Sequence, residues 1–158
     1  MAATPAPVLV LGIGNVLLMD EAVGVRAVEA YQADYAVPDG VEVMDGGTAG
    51  MDLMEPIAGR RHLVVVDAVK KADAQPGDIV RLGPGEVPAF FRERISPHQT
   101  GLADVLAALN LSNEAPETVR LVGMVPEALG TGVALSDTCE RALPGLVEMV
   151  VGEVSALP

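Results

Sequence analysis

Apolar positions along the chain fall into two patterns. Val8-Leu-Val-Leu-Gly12 is continuously apolar and short, the pattern expected of a strand covered on both faces. Val41-Glu-Val-Met-Asp45, His62-Leu-Val-Val-Val-Asp67, Ile79-Val-Arg-Leu82 and Val119-Arg-Leu-Val-Gly123 repeat that length and β-branched character. Between them the apolar spacing widens to a helical period, predicting helices over 21–35, 49–58, 101–109 and 136–154. In the first helix Val25, Val28 and Tyr35 form the inward stripe, with Arg26, Glu29 and Gln32 outward. Ser136 is the expected N-cap of the last, with Asp137 and Glu140 in its first turn, and Pro144 predicts a kink there.

Strand and helix alternate, which predicts a three-layer α/β/α sandwich around a mostly parallel, twisted five-stranded sheet. One hydrophobic core over residues 1–158 is expected, hence a single domain. The connection from Asp67 to Ile79 contains no convincing helix, so 79–82 is expected to be an antiparallel edge strand. Residues 82–98 carry Pro84, Pro88, Pro97 and the pair Phe90-Phe91, and read as a long functional loop or small lobe. In an open sheet of this kind ligands bind where loops leave the carboxyl ends of the strands. That rule ranks the polar residues.

Composition narrows the partners. The chain carries 10 basic against 22 acidic side chains, a net charge of −12, and its only lysines are Lys70 and Lys71. Nucleic acid is therefore an unsuitable partner, because phosphate binding needs clustered cations. The longest mostly apolar stretch, 8–19, is shorter than the ~20 residues of a membrane span and is broken by Gly12, Gly14 and Asn15. The opening residues lack a positive n-region, and a lone cysteine, Cys139, makes no internal disulfide. A soluble, cytoplasmic, monomeric protein is the expectation.

No His-Glu-x-x-His, Gly-x-Ser-x-Gly or Gly-Lys-Ser/Thr pattern is present. Gly12-Ile-Gly14-Asn-Val-Leu17 begins like a dinucleotide fingerprint, but Leu17 replaces the third glycine. Asp45 imitates the ribose-binding acid, so nucleotide binding stays open as a minority reading. His62 starts a strand at the far edge and reads as a strand-end or surface polar residue. His98, in a loop just before a helix and behind Pro97, is the better-placed imidazole, although a lone loop histidine is more often structural. Asp67 ends the third apolar run at the ligand edge, where capping a turn is the competing role. Glu21 follows the first strand and turn; acids at a helix start are also favoured by capping and the helix dipole, and Asp20 is assigned to that task. Together Glu21, Asp67 and His98 offer an oxygen/oxygen/nitrogen set suited to a borderline divalent metal with coordination positions left open. Asp45-Gly46-Gly47-Thr48 also lies at the ligand edge; its glycines admit close backbone approach, and Thr48 is a candidate cap. Cys139 reads as a small buried apolar residue, with a Cys139–His98 thiol-peptidase dyad as the rival.

Five ordered blocks carry a resemblance over nearly the whole chain. They are Leu9-Val-Leu-Gly-Ile-Gly-Asn-Val-Leu-Leu-Met-Asp-Glu-Ala-Val-Gly24, Asp45-Gly-Gly-Thr-Ala-Gly50 and His62-Leu-Val-Val-Val-Asp-Ala68. Ile95-Ser-Pro-His-Gln-Thr-Gly-Leu-Ala-Asp-Val-Leu106 and Leu121-Val-Gly-Met-Val-Pro-Glu127 complete the set. The sequence resembles the maturation endopeptidases of nickel–iron hydrogenases, and most of all the branch serving uptake-type enzymes. The resemblance implies a five-stranded sheet between helices. It also implies an endopeptidase that removes a short C-terminal extension from the hydrogenase large-subunit precursor after nickel and iron are installed. Cleavage would follow a His or Arg near the last metal-binding cysteine motif of that subunit. The family's nickel-binding residues fall on Glu21, Asp67 and His98, and the nickel is carried by the substrate, with no permanent metal on the enzyme. The 45–48 loop is associated with substrate selection. A nickel-binding assembly chaperone that does not cut its partner, and the thiol peptidase, are the alternatives.

Overall fold

The structure is a computed structural model; it describes residues 4–93 and 97–158, without the side chains of Pro97, His98 and Thr100. Five strands form one sheet: β1 Val8–Ile13, β2 Val41–Gly47, β3 His62–Ala68, β4 Ile79–Leu82 and β5 Thr118–Met124. Their order is β2-β1-β3-β5-β4, with every pairing parallel except β4 with β5. The expected sandwich and its antiparallel edge are therefore both present. After β1 the chain crosses to β2 on one side and then returns to β3 on the other. This reversal makes the gap between β1 and β3 a topological switch point, where the loops diverge and leave a crevice.

Side chains alternate across the sheet and divide the core in two. Val10, Val64, Val66 and Val122 pack under α1 (Val23–Asp34) and α5 (Asp137–Ser155). Leu9, Leu11, Leu63, Val65 and Leu121 pack on the other face. There they meet α2 (Met54–Ile57), α3 (Val87–Arg92) and α4 (Pro97–Leu111). Asp67 shares the alternation of Leu63 and Val65, so it faces the α4 layer.

Helix α1 lies unusually close to the sheet because Gly12 and Gly24 face each other. A Cβ on Gly24 would collide with the Val66 carbonyl oxygen and sit 2.8 Å from that of Ile13; one on Gly12 would sit 2.5 Å from the Gly24 carbonyl oxygen. Leu17, which stands in place of the third glycine of a dinucleotide fingerprint, lies in an exposed turn away from this approach. With α1 starting only at Val23, the turn after β1 does not lead straight into a helix N-terminus, and the dinucleotide geometry is not formed.

Several local expectations are corrected. The helix expected over 21–35 is a 3-10 turn, Met19–Ala22, followed by α1. Its inward aromatic is Tyr31, 1% exposed, whereas Tyr35 has left the helix with φ −131° and ψ 149°. The helix expected over 49–58 is a 3-10 turn, Gly50–Leu53, and the single turn of α2. The supposed 82–98 loop contains α3, and α4 begins at Pro97 rather than 101, so the backbone of His98 is helical. Proline suits a first helical turn because its missing N–H would have no partner there. Helix α5 runs through Pro144 without a break, and Ser136 caps it by accepting the Cys139 N–H at 3.3 Å. No described helix is long and apolar enough to cross a membrane.

Candidate active site

Four segments meet at the carboxyl edge of the sheet. The turn carrying Glu21 packs against β3, and the 3-10 turn after β2 packs against α4. Gly101 of α4 lies so near that turn that an added Cβ would sit 3.2 Å from the Gly50 Cα.

The Glu21 turn is shaped by long-range bonds. Asn15 Oδ1 accepts the Leu17 N–H at 2.9 Å, and Met19 follows with φ +48°, a left-handed conformation that costs a non-glycine residue about 1 kcal/mol or more. Bonds from Met19 N–H to the Gly132 carbonyl (2.9 Å) and from Asp20 N–H to that of Ala128 (3.0 Å) offset this strain. Gly14, at φ +139°, lets the Glu21 carbonyl settle directly against the end of β1. Glu21 itself is half-buried.

Asp20 does not cap α1. Its buried carboxylate accepts the N–H groups of Glu127 (3.0 Å), Ala128 (2.8 Å) and Ser136 (2.8 Å) and the Ser136 hydroxyl (2.7 Å). The residue thus ties the Glu21 turn to the loop between β5 and α5. Burial pushes its pKa upward, but the bonds from Ala128, Ser136 and Glu127 outweigh it and hold the carboxyl below its ordinary 3.8. A carboxyl depressed in the folded state contributes stability above its unfolded value, and that contribution disappears as pH falls through the folded value. Asp20→Ala should destabilise the protein by roughly 3 kcal/mol, because it leaves several donors without their charged acceptor. In urea unfolding between pH 7 and pH 2, Asp20→Asn should show a flatter acid dependence than the parent. Parallel curves would argue against this role.

Asp67 ends β3 fully buried. Its Oδ1 accepts the Ala68 N–H at 2.8 Å, and its Oδ2 accepts the Gln99 amide at 2.7 Å. The capping and ligand-edge readings of Asp67 are thus not exclusive: one oxygen closes the local turn while the other faces α4. His98 precedes Gln99 in the first turn of α4; its imidazole lies outside the described residues. Among the described residues, no three His, Cys, Asp or Glu side chains group closely enough to hold a metal ion. The candidate site is where the Glu21 turn, the end of β3 with Asp67 and the first turn of α4, which carries His98, come together.

The 45–48 loop borders this edge. Asp45 Oδ1 accepts the Gly47 N–H at 2.8 Å, and the Gly47 carbonyl accepts the Gly14 N–H at 2.9 Å, joining the loops after β1 and β2. Gly46 is buried against Leu11, where a Cβ would sit 2.7 Å from its Cδ1. Thr48 is exposed and caps nothing: the Gly50–Leu53 turn has Ala49 at its N-cap and no side-chain cap.

His62 is a strand-end residue as expected but lies buried rather than at the surface, and Cys139 keeps the buried apolar role expected of it. His62 is buried at 4% exposure, its Nδ1 2.7 Å from Thr118 Oγ1, the residue it faces across β3 and β5. Burial and the neighbouring Arg120 and Arg61 lower its pKa, so it is a neutral structural imidazole. Cys139 has no exposure, and burial raises its thiol pKa. It donates to the Val125 carbonyl at 3.6 Å within the α1/α5 core, on the opposite sheet face from α4. A thiol held neutral there is no nucleophile, which removes the thiol-peptidase alternative.

Fold and site together define an α/β protein with acid-bearing segments at the switch point of a doubly wound sheet. Residues 25–153 match the family described as HycI: Hydrogenase maturation protease. The hydrogenase 2 maturation protease of Escherichia coli K12 is 49% identical over 144 residues, covering 91% of this chain and 88% of that protein. The hydrogenase expression/formation protein HupD of Rhizobium leguminosarum bv. viciae is 39% identical, with 93% and 74% covered. The solved hydrogenase maturating endopeptidase HybD from E. coli superposes with a TM-score of 0.88 at 47% identity, covering 94% of this chain and 91% of that one. The chain belongs to the hydrogenase maturation protease family and is a peptidase. Membership in a protease family sets aside the non-cutting chaperone.

Proposed function

We propose that this peptidase removes the C-terminal extension of a nickel–iron hydrogenase large-subunit precursor once nickel is in place, reading that nickel through Glu21, Asp67 and His98. The observation that carries the proposal is the buried Asp67 carboxylate at the end of β3, beside the Glu21 turn at the switch point. The relatives' own names supply the class of substrate. Peptide hydrolysis without a protein nucleophile needs an attacking water and a stabilised carbonyl oxygen. Nickel held by the precursor supplies the Lewis acid. Two carboxylates and an imidazole complete its coordination from the enzyme side and bring the scissile bond beside it; in this scheme one of the carboxylates takes a proton from the water. The enzyme holds no permanent metal in this scheme, and the 45–48 loop selects the substrate. It works in the cytoplasm as a monomer that meets the precursor transiently.

Incubation with nickel-loaded and nickel-free precursor, read by gel mobility and by the mass of the C-terminus, tests this. The loaded form alone should be shortened. Equal cleavage of both forms would refute nickel recognition.

A further inference from the structure

Asp67 is held by a side chain to which the reading above gives no part. Gln99 is 5% exposed, and its Nε2 lies 2.7 Å from Asp67 Oδ2 and 3.2 Å from the Ala68 carbonyl oxygen. Both neighbours are acceptors, so the amide nitrogen with its two hydrogens must stand between them; the reverse orientation would press oxygen against oxygen. The Ala68 N–H binds the other carboxylate oxygen, which fixes the plane of the carboxylate as β3 ends. Gln99 also belongs to the first turn of α4, next after His98. Its bonds therefore tie the start of that helix to the end of β3. Fully buried Leu102 and Val105 anchor the same helix from one turn further on.

We propose that Gln99 is the positioning residue of the site. Its carboxamide holds Asp67 in one orientation and sets the turn that carries His98 against it. The inference rests on the proposed nickel-facing role of Asp67 and His98. Groups that hydrogen-bond and so orient a metal-facing ligand change affinity or activity by roughly 10–100-fold when removed. The bond joins an amide donor to a buried carboxyl oxygen, and no apolar side chain of the same size replaces it.

The full-length protein carrying Gln99→Leu, which keeps the volume and loses the donor, should bind nickel(II) alone about 10–100-fold more weakly in calorimetry. Gln99→Glu, with the same length but a second carboxylate facing Asp67, should not restore binding. In an Asp67→Asn background, Gln99→Leu should change the affinity by less than about twofold, since the two act as one unit. A merely structural role would instead add its full loss in that background. Unchanged nickel affinity and processing in Gln99→Leu would overturn the proposal while leaving nickel recognition intact. If the parent protein cleaves nickel-free precursor equally well, nickel recognition fails. Gln99 is then judged by processing: a lower kcat at unchanged KM in Gln99→Leu upholds the positioning of Asp67, and a parental kcat overturns it.

Discussion

Asp67→Asn should abolish processing of the nickel-loaded precursor, with kcat/KM falling by about 100-fold or more, the scale of loss when a reacting group is misplaced. The substitution removes the negative charge that would face the metal and reverses one hydrogen bond. Oδ1 and Oδ2 both accept, from Ala68 N–H and from the Gln99 amide. An asparagine must turn its own NH2 toward one of those donors, which costs about 1–3 kcal/mol in a buried setting. Circular dichroism and a thermal midpoint will show whether the variant is folded at the assay temperature. Glu21→Gln provides the companion, because Glu21 is half-buried on a turn held by backbone bonds from Met19 and Asp20. It too should lose processing. Retained cleavage in either folded variant would remove that carboxylate from the mechanism.

Gly24→Ala should destabilise the fold by about 3 kcal/mol or more, as overpacking against backbone atoms does. In an ordinary helix interior the same exchange stabilises by ~1 kcal/mol. Here the new methyl would enter the space of the Val66 carbonyl oxygen, with the Ile13 carbonyl oxygen at 2.8 Å. Neither atom can withdraw without moving a central strand, so α1 would have to lift from the sheet. Gly152→Ala in α5 is the internal control: nothing lies within 4 Å of a Cβ there, and stability should rise by roughly 0.5–1 kcal/mol. Chemical denaturation of both variants decides the matter. Equal effects of the same sign would mean that close approach at Gly24 does not hold α1 in place.

Much of the fold was legible in the chain because both-face burial writes itself as uninterrupted apolar runs. β1 and β3 were readable for that reason, and β4 was readable as an antiparallel edge because no crossover helix precedes it. Of the site, Asp67 and Glu21 could be ranked from their positions after apolar runs. The apolar pattern misplaces the start of α4: it puts His98 in a loop before a helix at 101, although Pro97 suits a first helical turn and α4 begins there. Asp20 could not be read, since its partners lie 107–116 residues further along the chain. The buried state of His62 likewise depends on Thr118, 56 residues away, through a β3–β5 register that no local pattern encodes. Tyr31 replaced Tyr35 because the helix ends at Asp34, one residue before the expected aromatic.

The alternation of strands and helices, the two-faced core and the stock of ionisable side chains came from the sequence by itself. Each follows from local period and composition, which act over a few residues. Tertiary structure alone decided that β1 and β3 are neighbours with the chain reversing between them, and that the Glu21 turn packs against the strand carrying Asp67. It alone placed Gln99 against Asp67 and sealed Cys139 in the opposite layer. Strand order is chosen by how helices pack back onto the sheet and by which distant segments satisfy one another's buried polar groups, and those terms exist only once the chain has closed on itself.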